Sequence, residues 1–293
     1  MKAFAPSELI ITPEGCIYHL NLKPEELAPI VITVGDPARV PMVSRYFDQI
    51  EVKKQKREFL THTGRLGKQR ISVLSTGIGT DNIDIVLNEL DALTNISFAE
   101  RRPKKETRAL IIIRLGTSGA LQEDLPPDSI VASSHGLGLD SLAAFYPDSK
   151  AIRERALEDA FLEEFEEDAP PYFYASAADE SLLIRLAENL PKGITLTSPG
   201  FYGPQGRSLR LNSALTEVFF EKVCYFQFGE SRITNFEMET SAIYTLARML
   251  GHRPLSLNVI LANRLTGAFT RNYEQAIDRL IRHALERIEQ IDK

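Results

Sequence analysis

The chain has little cysteine, no tryptophan, few histidines and no long apolar run. Its two cysteines, Cys16 and Cys224, are too few for a disulfide framework and too far apart for a Cys-x-x-Cys redox or zinc motif. A reducing cytoplasm is the expected compartment. The five histidines, His19, His62, His135, His252 and His283, show no metal-ligand spacing, so no metal catalyst is expected. No stretch approaches the roughly 18 apolar residues of a membrane span, and Pro6, Glu8 and Pro13 interrupt the amino terminus where a signal peptide needs an apolar core. No membrane partner is expected. Positive charge is also in deficit: 34 Lys and Arg against 40 Asp and Glu give a formal charge of -6, which offers no general pull on nucleic acid.

What remains is the composition of a globular domain. Over 293 residues, 43% hydrophobic and 25% charged content is enough to bury a sizeable core. Apolar runs of strand length alternate with helical patterns, the mark of an α/β layered fold. Strands are expected over 29–34, 70–75, 109–115, 129–133 and 255–262. Helices are expected over 38–46, from a cap at Asp81 through Ile83, Val86, Leu87, Leu90 and Leu93, and over 151–166, 180–190, 239–250 and 272–291. No linker and no repeat divides the chain, and one domain over 1–293 is expected. The most polar interruption, 97–108 with Arg101, Arg102, Lys104 and Lys105, reads as an exposed insertion in preference to a binding patch.

In α/β sheets ligands gather at the carboxyl ends of strands, and three such ends meet glycine-rich segments read as turns: Gly35-Asp36-Pro37, Thr76-Gly77-Ile78-Gly79 and Gly116-Thr117-Ser118-Gly119. Each can present backbone N–H groups to an anion, or serve only as a tight turn. Arginine favours the first reading. Arg39 follows the first segment and Arg114 sits inside an apolar strand, where a guanidinium is costly without an anionic partner, whether ligand or structural carboxylate. The spacing fits neither a Walker A loop, a dinucleotide-binding fingerprint nor a serine-hydrolase elbow.

Two further clusters carry chemistry. Phe201-Tyr202-Gly203-Pro204-Gln205-Gly206-Arg207 sets an aromatic ring, an amide and a guanidinium within seven residues, suited to a planar heterocycle or to a plain polar turn. Glu237-Met238-Glu239 places two carboxylates at a helix start, able to accept from a diol or simply to balance the helix dipole.

Taken in order, Tyr18-His19-Leu20, Gly35-Asp36-Pro37-Ala38-Arg39-Val40, Arg57-Glu58-Phe59, Ser75-Thr76-Gly77-Ile78-Gly79, Ile113-Arg114-Leu115-Gly116-Thr117-Ser118-Gly119, Phe201-Tyr202 with Gln205 and Arg207, Glu237-Met238-Glu239 and Asn263-Arg264 resemble the nucleoside phosphorylase-I superfamily, most closely its uridine phosphorylases. The resemblance implies a three-layer α/β/α fold with a central mixed, partly barrel-like sheet. It implies phosphorolysis of a pyrimidine nucleoside, uridine and phosphate giving uracil and ribose 1-phosphate, with no cofactor.

By the same resemblance phosphate falls to Gly35, Arg39, Arg114 and Thr117, with Arg57 lent by a neighbouring subunit. Ribose falls to His19, also lent, and to Glu237, Met238 and Glu239. The base falls to Phe201, Gln205 and Arg207, with Arg114, Gln205 and Arg207 carrying the rate. A homodimer unit, possible building block of a hexamer, is implied. A monovalent cation near Glu58 is implied too, although Asn82 stands where a serine is usual. The base loop departs from the bacterial pattern, which has Pro before Gly and an acid before Arg. Purine nucleoside phosphorylases and nucleosidases of the same superfamily use a Ser-Asp pair after the late strand, where this chain has Asn263-Arg264. A nucleoside-binding paralogue without turnover is the other alternative.

Overall fold

The computed structural model of the chain describes residues 2–291. Thirteen strands and seven α-helices alternate in it. The strands are β1 (Ile30–Val34), β2 (Gln49–Lys56), β3 (Phe59–Leu66), β4 (Gln69–Ser75), β5 (Ile96–Ser97), β6 (Arg102–Pro103), β7 (Ile111–Ala120), β8 (Ile130–Gly138), β9 (Tyr174–Ala177), β10 (Lys192–Thr197), β11 (Gln227–Phe228), β12 (Ser231–Glu237) and β13 (Arg253–Asn263). The helices are α1 (Arg39–Ser44), α2 (Thr80–Asn95), α3 (Arg155–Phe165), α4 (Glu180–Leu186), α5 (Glu217–Tyr225), α6 (Thr240–Met249) and α7 (Tyr273–Ile288). Among the described residues no helix is long and apolar enough to cross a membrane.

All but the β5–β6 hairpin join one mixed sheet in the order β11-β12-β10-β8-β13-β7-β1-β4-β3-β2, with β9 on β8. The sheet is flat at one side and closed at the other. β12 returns antiparallel to the far end of β7, Phe236 opposite Gly119 and Asn235 opposite Ala120, so β7, β13, β8, β10 and β12 form a five-stranded barrel. The partly barrel-like sheet expected from the motifs is what the chain builds.

Side-chain alternation along β1 explains the layers. Ile30, Ile32 and Val34 face a core with α1, α4 and α7, while Val31 faces a second core with α2 and α6. On α2, Ile83, Leu87 and Leu90 are at most 1% exposed, and burial of each side chain contributes about 1.5–3 kcal/mol. Phe161, Phe165, Phe219, Phe226 and Phe236 form a third core where α3 and α5 cover the barrel.

Several sequence expectations need correction. Gly116-Thr117-Ser118-Gly119 is not a turn: β7 runs through it to Ala120, because β13 supplies a parallel ladder from Arg253↔Ile111 to Asn263↔Ala120. Asp81 lies within the first turn of α2, and the capping position is Gly79, whose φ of 99° no side chain tolerates well. The helix expected over 151–166 starts only at Arg155, after a 3-10 turn over Pro147–Ala151. Of the 97–108 insertion, Arg102, Lys104 and Lys105 are exposed as expected, but Arg101 is tied to the carbonyls of Phe4, Ala5 and Leu9 and anchors the amino-terminal segment.

Candidate active site

The sheet tears open along one strand. β7 pairs with β1 only as far as Arg114 and meets β12 again only at Gly119, so the edge of Leu115–Ser118 turned away from β13 has no strand beside it. A cavity of about 650 Å³ opens there, at the carboxyl ends of β1, β7, β12 and β13. Its walls include Gly35, Arg39, Arg114, Thr117, Phe201, Gln205, Arg207, Glu237, Met238 and Glu239, which are ten of the twelve residues singled out from the sequence.

Arg114 is the most heavily engaged of them. Its Nη2 donates to Glu239 Oε2 at 2.5 Å and lies 2.9 Å from Glu237 Oε2, and its Nη1 donates to Asn258 Oδ1 at 2.6 Å. Burial works against its charge, yet Glu237 and Glu239 outweigh burial and hold its pKa above the ordinary arginine value. Gly116 makes this posture possible. A Cβ there would lie 1.6 Å from Arg114 Nη1 and 2.5 Å from Asn258 Oδ1, so any side chain would evict the guanidinium.

The carboxylates are themselves anchored. Glu237 accepts from Thr197 Oγ1 at 2.6 Å and from the backbone N–H groups of Glu239 and Thr240, which open α6. Glu239 accepts from the N–H of Gly79 at 2.8 Å. Burial raises the Glu239 pKa above the usual carboxylate range, Arg114 pulls it back, and Glu237 adds to the rise. The helix-dipole reading of these two acids is therefore incomplete, since both bind a guanidinium.

Arg39 differs. Among the described residues its side chain makes no ion pair or hydrogen bond, and its Nε is buried without a partner. A buried guanidinium donor left unpaired costs of order 1–3 kcal/mol or more, so the position is set up for an anion. Together with the Arg114 head group, the Thr117 hydroxyl and the bare β7 edge, it gives the cavity a concentration of donors suited to phosphate.

The loop after β10 supplies a different chemistry. Gln205 is 3% exposed, and Arg207 Nη1 donates to its Oε1 at 2.5 Å and to the Phe201 carbonyl at 2.6 Å. Arginine only donates, so this bond fixes which way the carboxamide points and directs its N–H groups to a ligand carbonyl. The Arg207 guanidinium also lies 3.9 Å from the centre of the Phe201 ring. Burial lowers the Arg207 pKa and Tyr202 opposes that shift. The turn is set by Gly206, at φ 69° and with a would-be Cβ 2.1 Å from the Phe220 ring.

Two expected residues lie elsewhere in this chain. His19 is half-buried, its Nδ1 2.7 Å from Glu89 Oε1, and Arg57 sits exposed at φ 53° on the turn from β2 to β3. Neither lines the cavity of its own chain. The side chains of Glu58 and Asn82 both pack against Gly77, two groups where a hard cation wants six or so oxygen ligands. One chain thus falls short of a cation shell. Among the described residues no group of three or more His, Cys, Asp or Glu is arranged to hold a metal.

Sequence reasoning missed Asn258 and Phe269, and it quoted Arg264 without giving it a role. Asn258 is 0% exposed and bonded through Nδ2 to Ser133 and Ser256, so it reads in sequence as any strand residue. Arg264 stacks 4.0 Å from the Phe220 ring centre and donates to the Gln205 carbonyl, supporting the loop from behind. Phe269 lines the cavity from an exposed position.

Comparison with known proteins agrees with this geometry. The family model for the phosphorylase superfamily matches residues 29–290. A uridine phosphorylase of Thermococcus kodakarensis is 30% identical over 277 residues, 94% of this chain and 87% of that protein. A DeoD-type purine nucleoside phosphorylase of Geobacillus stearothermophilus is 27% identical over 273 residues, 92% of this chain and 97% of its own. Among solved structures, a Trypanosoma brucei nucleoside phosphorylase described as showing uridine phosphorylase activity superposes with a TM-score of 0.86 at 29% identity, covering 97% of this chain and 100% of that one. The match over almost the whole length, and the assembly of ten motif residues around one cavity, make the chain a member of the phosphorylase superfamily, a nucleoside phosphorylase similar to uridine phosphorylases.

Proposed function

We propose that the chain catalyses phosphorolysis of uridine to uracil and ribose 1-phosphate. The observation that carries this reading is the pairing, in one cavity, of two arginines placed for an oxyanion with a Gln205–Arg207 pair placed for a pyrimidine carbonyl and imide. Both purine and pyrimidine phosphorylases resemble the chain, so the choice of base rests on the cavity wall. A purine leaving group needs an acid at its N7. Leu261 and Ala262 line that part of the strand end, and Asn263 beyond them is buried, donating to the carbonyls of Gln122 and Leu125. The carboxylates of the cavity are committed: Glu237 and Glu239 to Arg114, and Asp36 to the Ala38 N–H at 2.8 Å. Among the described residues no carboxylate stands at the end of β13, where the purine enzymes carry their acid.

Cleavage of the N-glycosidic bond leaves positive charge on the ribosyl carbon and negative charge on the base. Gln205 and Arg207 donate to the departing base, which stabilises that charge in a site with little water. Phosphate held by Gly35, Arg39, Arg114 and Thr117 offers an oxygen to C1′, and the new C–O bond forms as the C–N bond breaks. Glu239 and Met238 hold the sugar, and Glu237 holds Arg114. Positioning and charge, with no protein nucleophile, carry the rate. His19 and Arg57, absent from their own chain's cavity, reach that of a second subunit, so the dimer is the working unit. Mixed dimers of Arg57→Ala and Arg114→Ala chains then regain activity that neither variant shows alone, since one of the two sites is intact; no recovery on mixing rejects the shared site.

The deciding assay follows base release from uridine, thymidine, inosine and adenosine with and without phosphate. Uracil released only with phosphate is the expected result. Inosine turned over faster than uridine would overturn the pyrimidine reading, and release without phosphate would make the protein a nucleosidase.

A further inference from the structure

A second cavity, of about 610 Å³, lies at the opposite end of the same sheet. It is walled by the amino ends of β1, β4, β7 and β13, the strands whose first residues are Ile30, Gln69, Ile111 and Arg253. Its floor is apolar, with Leu27, Ile30, Leu93, Leu110 and Ile111, and its cations are Arg70, Lys104, Arg108 and Arg253. Among the described residues no Asp or Glu lines it. In a chain of net charge -6 that is a local reversal of sign.

The four cations are not equivalent. Arg70 is held by Glu51 at 2.8 Å, and Arg253 by Asp179 at 2.9 Å. Among the described residues Arg108 has no side-chain partner, and Lys104 donates only to the Thr94 carbonyl, at 2.6 Å. Two positive charges therefore face the hollow uncompensated. The main chain that carries them is held in place. Asn95, 4% exposed, accepts from the Arg108 N–H at 2.8 Å, donates to the Arg108 carbonyl at 3.2 Å, and takes the Lys104 N–H on its own carbonyl at 2.7 Å. Its amide is oriented in turn by Asp91 at 2.6 Å, and the adjoining Leu110 N–H is held by His252 Nδ1 at 3.1 Å. A polar loop with no task has no need of such a clamp; a rim for a ligand does.

We propose that this cavity binds an amphipathic organic anion, with a phosphate or carboxylate against Lys104 and Arg108 and an apolar or aromatic body on the floor. The size, the apolar lining and the few convergent charged groups are those of a small-molecule site. The segment that carries both cations is the polar insertion that the nucleoside chemistry leaves unused. Because β1, β7 and β13 run from this floor to the phosphorolytic cavity, the ligand touches the same strands as the substrates at their other ends.

The probe is 8-anilinonaphthalene-1-sulfonate, an aromatic anion whose fluorescence rises on apolar burial, titrated in the presence of saturating uracil to fill the base end of the first cavity. One site that persists under those conditions is expected, weakened at least about tenfold in the Lys104→Glu/Arg108→Glu variant. Arg108→Gln alone, a change at an exposed position, gives a smaller weakening and covers the case in which the double variant does not fold by circular dichroism. Displacement of the probe by uracil, or unchanged affinity in folded variants, would overturn the proposal.

Discussion

The two ends of the central sheet treat cations in opposite ways. At the carboxyl ends Arg114 is bound by Glu237, Glu239 and Asn258, inside a barrel whose five strands all contribute polar side chains. Ser133 meets Thr195 at 2.6 Å, Thr195 meets Asn235 at 2.9 Å, Asn235 meets Ser118 at 2.9 Å, and Asn258 meets Ser133 at 3.3 Å. At the amino ends Lys104 and Arg108 are held by their backbones and their charges face an apolar hollow. The difference separates a guanidinium oriented by side chains, at the cost of a polar interior, from cations anchored through the main chain alone.

Substitutions at the first end measure how far that orientation matters. Arg114→Ala is expected to have the largest effect. It removes a donor to the oxyanion, with a loss of about 100-fold or more in kcat/KM, and it leaves two buried carboxylates without their cation, at about 3–5 kcal/mol of stability read by urea denaturation. Arg39→Ala is expected to lose about as much activity while keeping the stability, because its guanidinium pairs with nothing among the described residues. Equal stability losses in the two variants would erase the distinction between a committed and an uncommitted arginine. Asn258→Leu reaches the cavity through Arg114: KM for phosphate rises about tenfold with KM for uridine unchanged, as initial rates at varied phosphate would show. A uniform loss in both constants would reduce Asn258 to a packing residue.

The smallest effect concerns protons. Folding raises the Glu239 pKa, so the folded protein takes up its proton at a higher pH than an ordinary glutamate does. Protonated, the carboxyl no longer pairs with Arg114 or accepts from a sugar hydroxyl. Activity should therefore decline, as pH falls, on a limb that begins above the usual glutamate range, and Glu239→Gln should abolish that limb along with much of the activity. A pH profile identical in the two proteins would detach Glu239 from the acidic limb.

Legibility followed chemistry more than geometry. Gly35, Arg39, Arg114, Gln205, Arg207 and the Glu237–Glu239 pair were readable because guanidinium, amide and carboxylate groups beside glycines or inside apolar segments call for a partner. Gly116-Thr117-Ser118-Gly119 misled because glycine marks a turn by propensity, while the ladder offered by β13 decided for strand. β2 escaped notice for a similar reason: Lys53, Lys54 and Lys56 look like a solvated loop, but as an edge strand paired only to β3 it can afford charge on both faces. Asn258 and Ser133 were invisible, since a buried polar residue announces itself only once its partners are known.

One consequence follows from the rent in the sheet along β7. A peptide edge lacking a neighbouring strand leaves backbone N–H and C=O groups of Leu115–Ser118 turned toward whatever enters the cavity. A compound whose donors and acceptors match that fixed spacing would dock without asking the scaffold to rearrange.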